Sequence, residues 1–131
     1  MAAAPGSADI SLAIPGRPEY GRVARVGAAH LAHRRGFTLG EIDDLRMAID
    51  EAVIMLLGPS PRSGRIEIGY RLGPAVVDVE LVSRLDEEPR PLPDDRMTRF
   101  REITAGLADE ISVNADERSV RVLKRHANPH R

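Results

Sequence analysis

The chain has 131 residues, a formal net charge of −1 and no cysteine. This length suits one domain with a single core, and the lack of cysteine excludes disulfides and thiolate metal sites. The balanced charge argues against a general electrostatic attraction to nucleic acid. Two tyrosines, two phenylalanines and no tryptophan are too few to predict a base-stacking platform.

Neither the composition nor the chain start indicates a membrane protein. The longest apolar run, 52–57, is far shorter than a membrane span, and the first residues lack a basic leader and an apolar signal core. We therefore expect a single cytoplasmic domain over 1–131, folded between about 10 and 125, with loose tails at 1–9 and 126–131.

The first elements are a strand and a helix. Apolar residues alternate from Ile10 to Ile14, which predicts a short strand that ends at Pro15. Pro18 suits a helix start and Gly36 a helix end. The predicted buried face of this helix has residues at helical spacing: Tyr20, Val23, Ala24, Gly27 and Leu31.

A second helix follows from Thr38, which forms a capping box with Glu41, and ends at Gly58. Its predicted core face consists of Ile42, Leu45, Ile49, Ala52 and Leu56. The opposite side carries Met47, Glu51 and Met55, spaced four apart, so this helix is apolar nearly all round. Such a side indicates a cover of some kind, either a lid, a ligand or a second chain, and a collapsed pocket would bury both methionines.

The second half contains four strands and one helix. Alternating residues predict a hairpin over 65–72 and 77–81, and later strands over 111–113 and 119–124. The acidic, proline-rich segment 86–95 predicts a loop. We expect Asp94 or Asp95 to cap a third helix whose apolar stripe is Phe100, Ile103 and Leu107. The whole order predicts an α+β, two-layer sandwich: a mostly antiparallel (mixed) sheet of about five strands with three helices on one face.

Two segments resemble the anti-sigma factor serine kinases, whose ATP-binding fold is shared with histidine kinases, gyrase and MutL. Residues 43–57, DDLRMAIDEAVIMLL, resemble the family helix that carries the acid of the nucleotide site, and 103–125 resemble its closing helix and last strands. The chain looks most similar to actinobacterial members, in which the kinase motifs are often eroded. The resemblance implies that Glu51 matches the family acid.

Three further motifs of that family are changed here. The resemblance puts Met55 at the asparagine that holds magnesium, and a thioether is a poor ligand for a hard cation. Asp86 matches the adenine-contacting aspartate, but its glycine positions are Glu88 and Arg90. The phosphate-cradling glycines would fall near Thr98 and Phe100. The resemblance therefore implies no catalytic residue beyond a vestigial Glu51, no cofactor and no metal.

Several features allow two interpretations. Glu51 is either a kinase base or a partly buried acid paired with an arginine, and the second is favoured without the magnesium ligand. His30 and His33 have a spacing that metal pairs use, yet the arginines that follow them favour a solvated basic face. The acidic loop from Asp86 could bind a cation or a basic partner, although such runs are usually only solvated. The Met47–Met55 stripe is either core or an adaptable contact surface.

The leading hypothesis is an anti-sigma factor that sequesters an alternative sigma factor and is released by an anti-anti-sigma antagonist, without kinase activity. The alternative is an active serine kinase that uses ATP and magnesium to phosphorylate that antagonist, and a third possibility is a structural interaction domain without a sigma partner. The resemblance implies a partner surface with Arg22, Arg25 and His30, and a homodimer paired through the first strand. We expect no direct nucleic-acid or membrane partner.

Overall fold

The computed structural model describes residues 8–87 and 91–127, which form three α-helices and one five-stranded sheet. In chain order the elements are β1 (Ile10–Pro15), a short 3-10 turn (Pro18–Tyr20), α1 (Gly21–Arg34), α2 (Leu39–Leu57), β2 (Gly64–Gly73), β3 (Val76–Leu85), α3 (Asp94–Thr104), β4 (Glu110–Asn114) and β5 (Ser119–Arg125). The strand order is β1-β2-β3-β5-β4, and every neighbouring pair is antiparallel. The predicted α+β sandwich is confirmed.

The two faces of the sheet differ because side chains alternate along each strand. Toward the helices, Ile68 of β2 lies opposite Leu81 of β3, and both are fully buried. The other face carries ion pairs such as Arg84 Nε to Glu67 Oε1, at 3.0 Å, and Arg121 Nη2 to Asp78 Oδ2, at 2.8 Å. The hydrogen bond from Arg84 lowers the pKa of Glu67, so this face stays charged.

The central helix is α2, as predicted. Thr38 Oγ1 accepts the N–H of Glu41 at 3.1 Å, and Glu41 Oε1 accepts the N–H of Thr38 at 2.8 Å, which completes the capping box. All of the predicted core residues on this helix are buried: Ile42, Leu45, Ile49, Ala52 and Leu56. The helix ends at Gly58, whose φ of 80° lies in the left-handed region that favours glycine.

The predicted buried face of α1 is partly wrong. Ala24 is buried, but Tyr20 and Val23 are 43% and 48% exposed. The helix instead buries small residues, since those allow its backbone to come close to α2 and to the sheet. An added methyl at Gly21 would lie 3.3 Å from Val53 Cγ1, so the contact with α2 is already close. The buried residues of α1 are Gly21, Ala24, Ala28 and Ala32.

Two predictions for α3 also need correction. Pro93 occupies the N-cap without a side-chain cap, and Asp94 and Asp95 lie within the first turn, where carboxylates complement the helix dipole. Phe100 is buried as predicted, but Ile103 is 37% exposed and the helix ends before Leu107. The buried face turns instead toward α2 through Met97, Phe100 and Thr104.

The predicted loose tail at 126–131 is wrong for its first two residues. Glu41 Oε1 lies 2.8 Å from His126 Nδ1, and Glu41 Oε2 accepts the N–H of Ala127 at 2.7 Å. The His126 ring also stacks on Phe37, with 5.8 Å between ring centroids. We call these contacts of Glu41 the C-terminal clasp. Likewise Asp9 donates its N–H to Tyr70 O at 3.0 Å, while 1–7 and 128–131 lie outside the described residues.

Candidate functional site

The candidate site is built around Glu51, on the side of α2 that faces α3. Its side chain is only 15% exposed, and Glu51 Oε1 accepts a hydrogen bond from Arg99 Nη1 of α3 at 2.8 Å. A carboxylate with this degree of burial needs a cation, and here the protein supplies one. The predicted pairing of Glu51 with an arginine is confirmed.

The methionine stripe beside Glu51 is divided. Met55 is 2% exposed and belongs to the core, whereas Met47 is 51% exposed. The prediction that one cover buries both methionines is therefore wrong for Met47. Ile54, one residue before Met55 and turned toward solvent, is also 47% exposed. This part of α2 thus keeps an apolar surface open.

Two grooves flank Ile54. The first, the α1–α2 groove, has a volume of about 320 Å³, and its lining includes Arg22, Arg25, Asp50, Glu51 and Val53. The second, the α2–α3 groove, has a volume of about 330 Å³, and its lining includes Met55, Pro59, Asp95, Arg96 and Arg99. Ile54 and Gly58 line both.

Arginine side chains from α3 occupy the surface above the end of α2. Arg96 lies so close to Gly58 that a methyl group on this glycine would collide with the guanidinium. Arg99 holds Glu51, as described above. The acid that the resemblance assigns to the nucleotide site is therefore paired with the guanidinium of Arg99, and Met55, at the position of the magnesium ligand, is covered. These residues do not fit a magnesium–nucleotide group, because Glu51 is already bound by Arg99 and a buried thioether stands where magnesium would need an oxygen ligand.

The other residues that the resemblance assigns to the nucleotide site do not form one site with Glu51. Phe100 is 1% exposed and packs in the core, while Thr98 is exposed on the outer side of α3. Asp86 is exposed, donates its N–H to Ser63 O at 2.9 Å and lines a separate open cavity of about 680 Å³ with Arg62 and Glu87. Residues 88 and 90, which match the missing glycines, lie outside the described residues.

The basic residues predicted to bind a partner lie in different surroundings. Arg22 and His30 are exposed on α1. Arg25 is partly buried, and its Nη1 donates to Asp50 Oδ2 at 2.9 Å, so it links α1 to α2. Arg22 and Arg25 line the α1–α2 groove, and His30 does not.

Among the described residues, no group of three or more acidic or histidine side chains is placed to hold a metal ion. His30 and His33 are both exposed on α1. No helix in the described part of the chain is long and apolar enough to cross a membrane.

Three arginines of this region were not predicted from the sequence. Arg96 and Arg99 lie in the predicted third helix, whose cap and apolar stripe indicate nothing about these side chains, and Arg99 is 48 residues from its partner Glu51. Arg118 is fully buried and donates from Nη2 to Leu56 O at 3.1 Å, near the end of α2. A cation at a helix C-terminus complements the helix dipole, but no local pattern in the sequence indicates such a distant contact.

Comparison with known proteins gives relatives of one kind. The serine-protein kinase RsbW of Oceanobacillus iheyensis is 26% identical over 123 residues, covering 80% of this chain and 78% of that protein. The serine-protein kinases RsbW of Listeria monocytogenes and Listeria innocua are each 39% identical over 44 residues, which cover 34% of this chain and 28% of each relative. No protein-family model matches the chain. The first likeness confirms the predicted resemblance over most of the sequence.

Proposed function

We propose that this chain, which belongs to the family of anti-sigma factor serine kinases, sequesters an alternative sigma factor without transferring phosphate. An anti-anti-sigma antagonist releases the sigma factor by competing for the chain. Both events take place in the cytoplasm, where sigma factors meet RNA polymerase. The observation that carries the proposal is the ion pair between Glu51 and Arg99, at 2.8 Å. It occupies the acid that the resemblance assigns to a magnesium–nucleotide site.

The loss of kinase activity follows from the chemistry of phosphoryl transfer. That reaction depends on positioning and on magnesium that neutralises the phosphate charge. Here Glu51 is bound by a guanidinium, and Met55 offers a buried thioether where a metal would need an oxygen ligand. Phe100, buried in the core, leaves no open backbone at the position of a phosphate-cradling glycine. We therefore propose that neither ATP nor magnesium is a cofactor.

One observation favours the second candidate, an active serine kinase that phosphorylates the antagonist. The relative that covers most of the chain is a serine-protein kinase, and the family resemblance matches Glu51 to the acid of the nucleotide-site helix. This function would require α3 to move so that Arg99 releases Glu51. Retention of the fold with loss of the metal ligand makes binding the better supported role.

The proposed partner surface includes Arg22, Arg25 and His30 of α1. Of these residues, Arg22 makes no ion pair with any described residue, so its charge is available to an acidic partner. We also propose a homodimer through β1, since Ile10 is 42% exposed on a strand that pairs with β2 alone among the described strands. An unpaired strand edge of this kind invites pairing with another chain.

The experiment is capture of the tagged full chain from its own cell, with bound proteins identified by mass spectrometry. We expect a sigma factor and a small antagonist, each captured without the other. Charge reversal at both Arg22 and Arg25 should slow association with the sigma factor and change its salt dependence. Recovery of no sigma factor, or transfer of labelled phosphate to the antagonist, would overturn the proposal.

A further inference from the structure

Ile54 forms an apolar ridge between two grooves of similar size. It is 47% exposed, and the α1–α2 and α2–α3 grooves, of about 320 and 330 Å³, lie on its two sides. Each groove has apolar residues in its lining: Val53 and Leu57 in the first, and Met55 and Pro59 in the second. A ridge between two apolar grooves is shaped to receive side chains on both of its sides.

The charges around this ridge are unequal. The two grooves are lined by the arginines Arg22, Arg25, Arg96 and Arg99, and by the acids Asp50, Glu51 and Asp95. Asp50 neutralises Arg25 at 2.9 Å, and Glu51 neutralises Arg99 at 2.8 Å. Arg22 forms no ion pair with any residue that the structure describes, and α1 contains no acidic residue that could neutralise it.

We infer that the Ile54 ridge, with the groove on each side of it, is the centre of the surface that binds the sigma factor. The segment it fits is apolar, places side chains in both grooves and carries a carboxylate that pairs with Arg22. This inference rests on the proposed function and refines it, because the centre of the partner surface moves from α1 to α2. Central apolar groups surrounded by charged rims are typical of the residues that dominate binding energy.

Charge complementarity argues against a second copy of this chain as the occupant. In a two-fold interface the same patch meets itself, so the uncompensated Arg22 of each copy would face the same cationic surface. Like charges brought together in this way disfavour association. An acidic partner has the opposite effect, since its carboxylate finds a cation that is already free of internal pairing.

The test is the affinity of the full chain for the captured sigma factor, measured by surface plasmon resonance for three variants. We expect Ile54→Glu to weaken binding by at least about 30-fold, because it places a charge at the apolar centre. Ile103→Glu is the matched control: Ile103 is 37% exposed on α3, lines neither groove and should change affinity by less than about twofold. Arg22→Glu should lower the association rate.

Each other outcome has a defined meaning. If Ile54→Glu and the native chain bind the sigma factor with equal affinity, the Ile54 ridge is not the centre of the binding surface and the inference is wrong. The proposed function then still stands, because the native chain binds. If the native chain binds no sigma factor from its cell, both the inference and the proposed function are wrong. Light scattering on Ile54→Glu tests whether a second copy of the chain occupies the ridge. A fall in mass from dimer to monomer would identify that copy as the occupant and would overturn the inference. Circular dichroism of each variant confirms that it is folded.

Discussion

The C-terminal clasp gives the sharpest stability prediction, through the substitution Glu41→Gln. Burial tends to raise the pKa of Glu41, but the N–H groups of Thr38 and Ala127 and the imidazole of His126 outweigh it and lower the pKa to about 2. The ordinary value is 4.5, so the carboxylate is strongly preferred in the folded state. A glutamine keeps an oxygen acceptor but loses the charge.

The magnitude follows from that difference. The difference between the ordinary pKa of 4.5 and the folded pKa of about 2 corresponds to about 3.4 kcal/mol for a group fully shielded from solvent. Glu41 is 14% exposed, and solvent screening together with the retained amide oxygen reduces the expected loss to about 1–2 kcal/mol. This range also agrees with the usual cost of removing a helix cap.

The pH dependence has a defined sign. Because the folded pKa lies below the unfolded one, the stabilisation by Glu41 is complete above about pH 4.5 and is lost as the pH falls toward about 2. Urea unfolding of the native chain and Glu41→Gln should therefore differ at pH 7, differ less at pH 3 and converge only at about pH 2. Glu110→Gln is the control, because Glu110 is 54% exposed and bonded to Arg125, and should cost less than about 0.5 kcal/mol. Equal losses in both variants, or a difference that does not shrink with acid, would refute the reasoning.

Three further predictions concern the site and the dimer. Gly58→Ala should lower the free energy of unfolding, measured in urea, by about 1–3 kcal/mol, because φ at this position is 80° and the added methyl collides with the guanidinium of Arg96. Gly40→Ala is the control and should not destabilise the chain, because the space around Gly40 is open. Met55→Asn alone should give no saturable heat with ATP and magnesium in calorimetry, because a single new ligand neither removes Arg99 from Glu51 nor restores the glycine loop; binding tighter than about 100 μM would contradict this. Light scattering should give the native chain twice the mass of 14.3 kDa and Leu12→Asp the monomer mass, and a native monomer at high concentration would exclude the dimer.

Local patterns predicted the elements whose burial follows their own sequence. The capping box at Thr38 and the core face of α2 are confirmed because both depend on residues three or four apart. The strands are confirmed for a similar reason, since alternation sets one face of each strand toward the core. Glu51 could be singled out from the sequence because it lies in the segment that carries the family resemblance.

Predictions failed where a distant neighbour decides the environment. Val23 was assigned to the core for its hydrophobicity, but α1 is turned so that alanines and glycine face α2, which needs a close approach. Arg99 is 48 residues from Glu51, and His126 is 85 residues from Glu41, so helical spacing contains no information about either pair. Met47 and Met55 look equivalent in sequence, yet Met55 is buried beside the groove between α2 and α3 and Met47 is exposed.

The central claim is that this chain binds its sigma factor without nucleotide chemistry. The most direct measurement is the dissociation constant of the purified chain for that sigma factor, by calorimetry, with and without ATP and magnesium. Because Arg99 holds Glu51 and Met55 is covered, we expect the two constants to agree within about twofold. An affinity that rises about tenfold or more with ATP and magnesium would show that nucleotide enters the site, and would contradict the account.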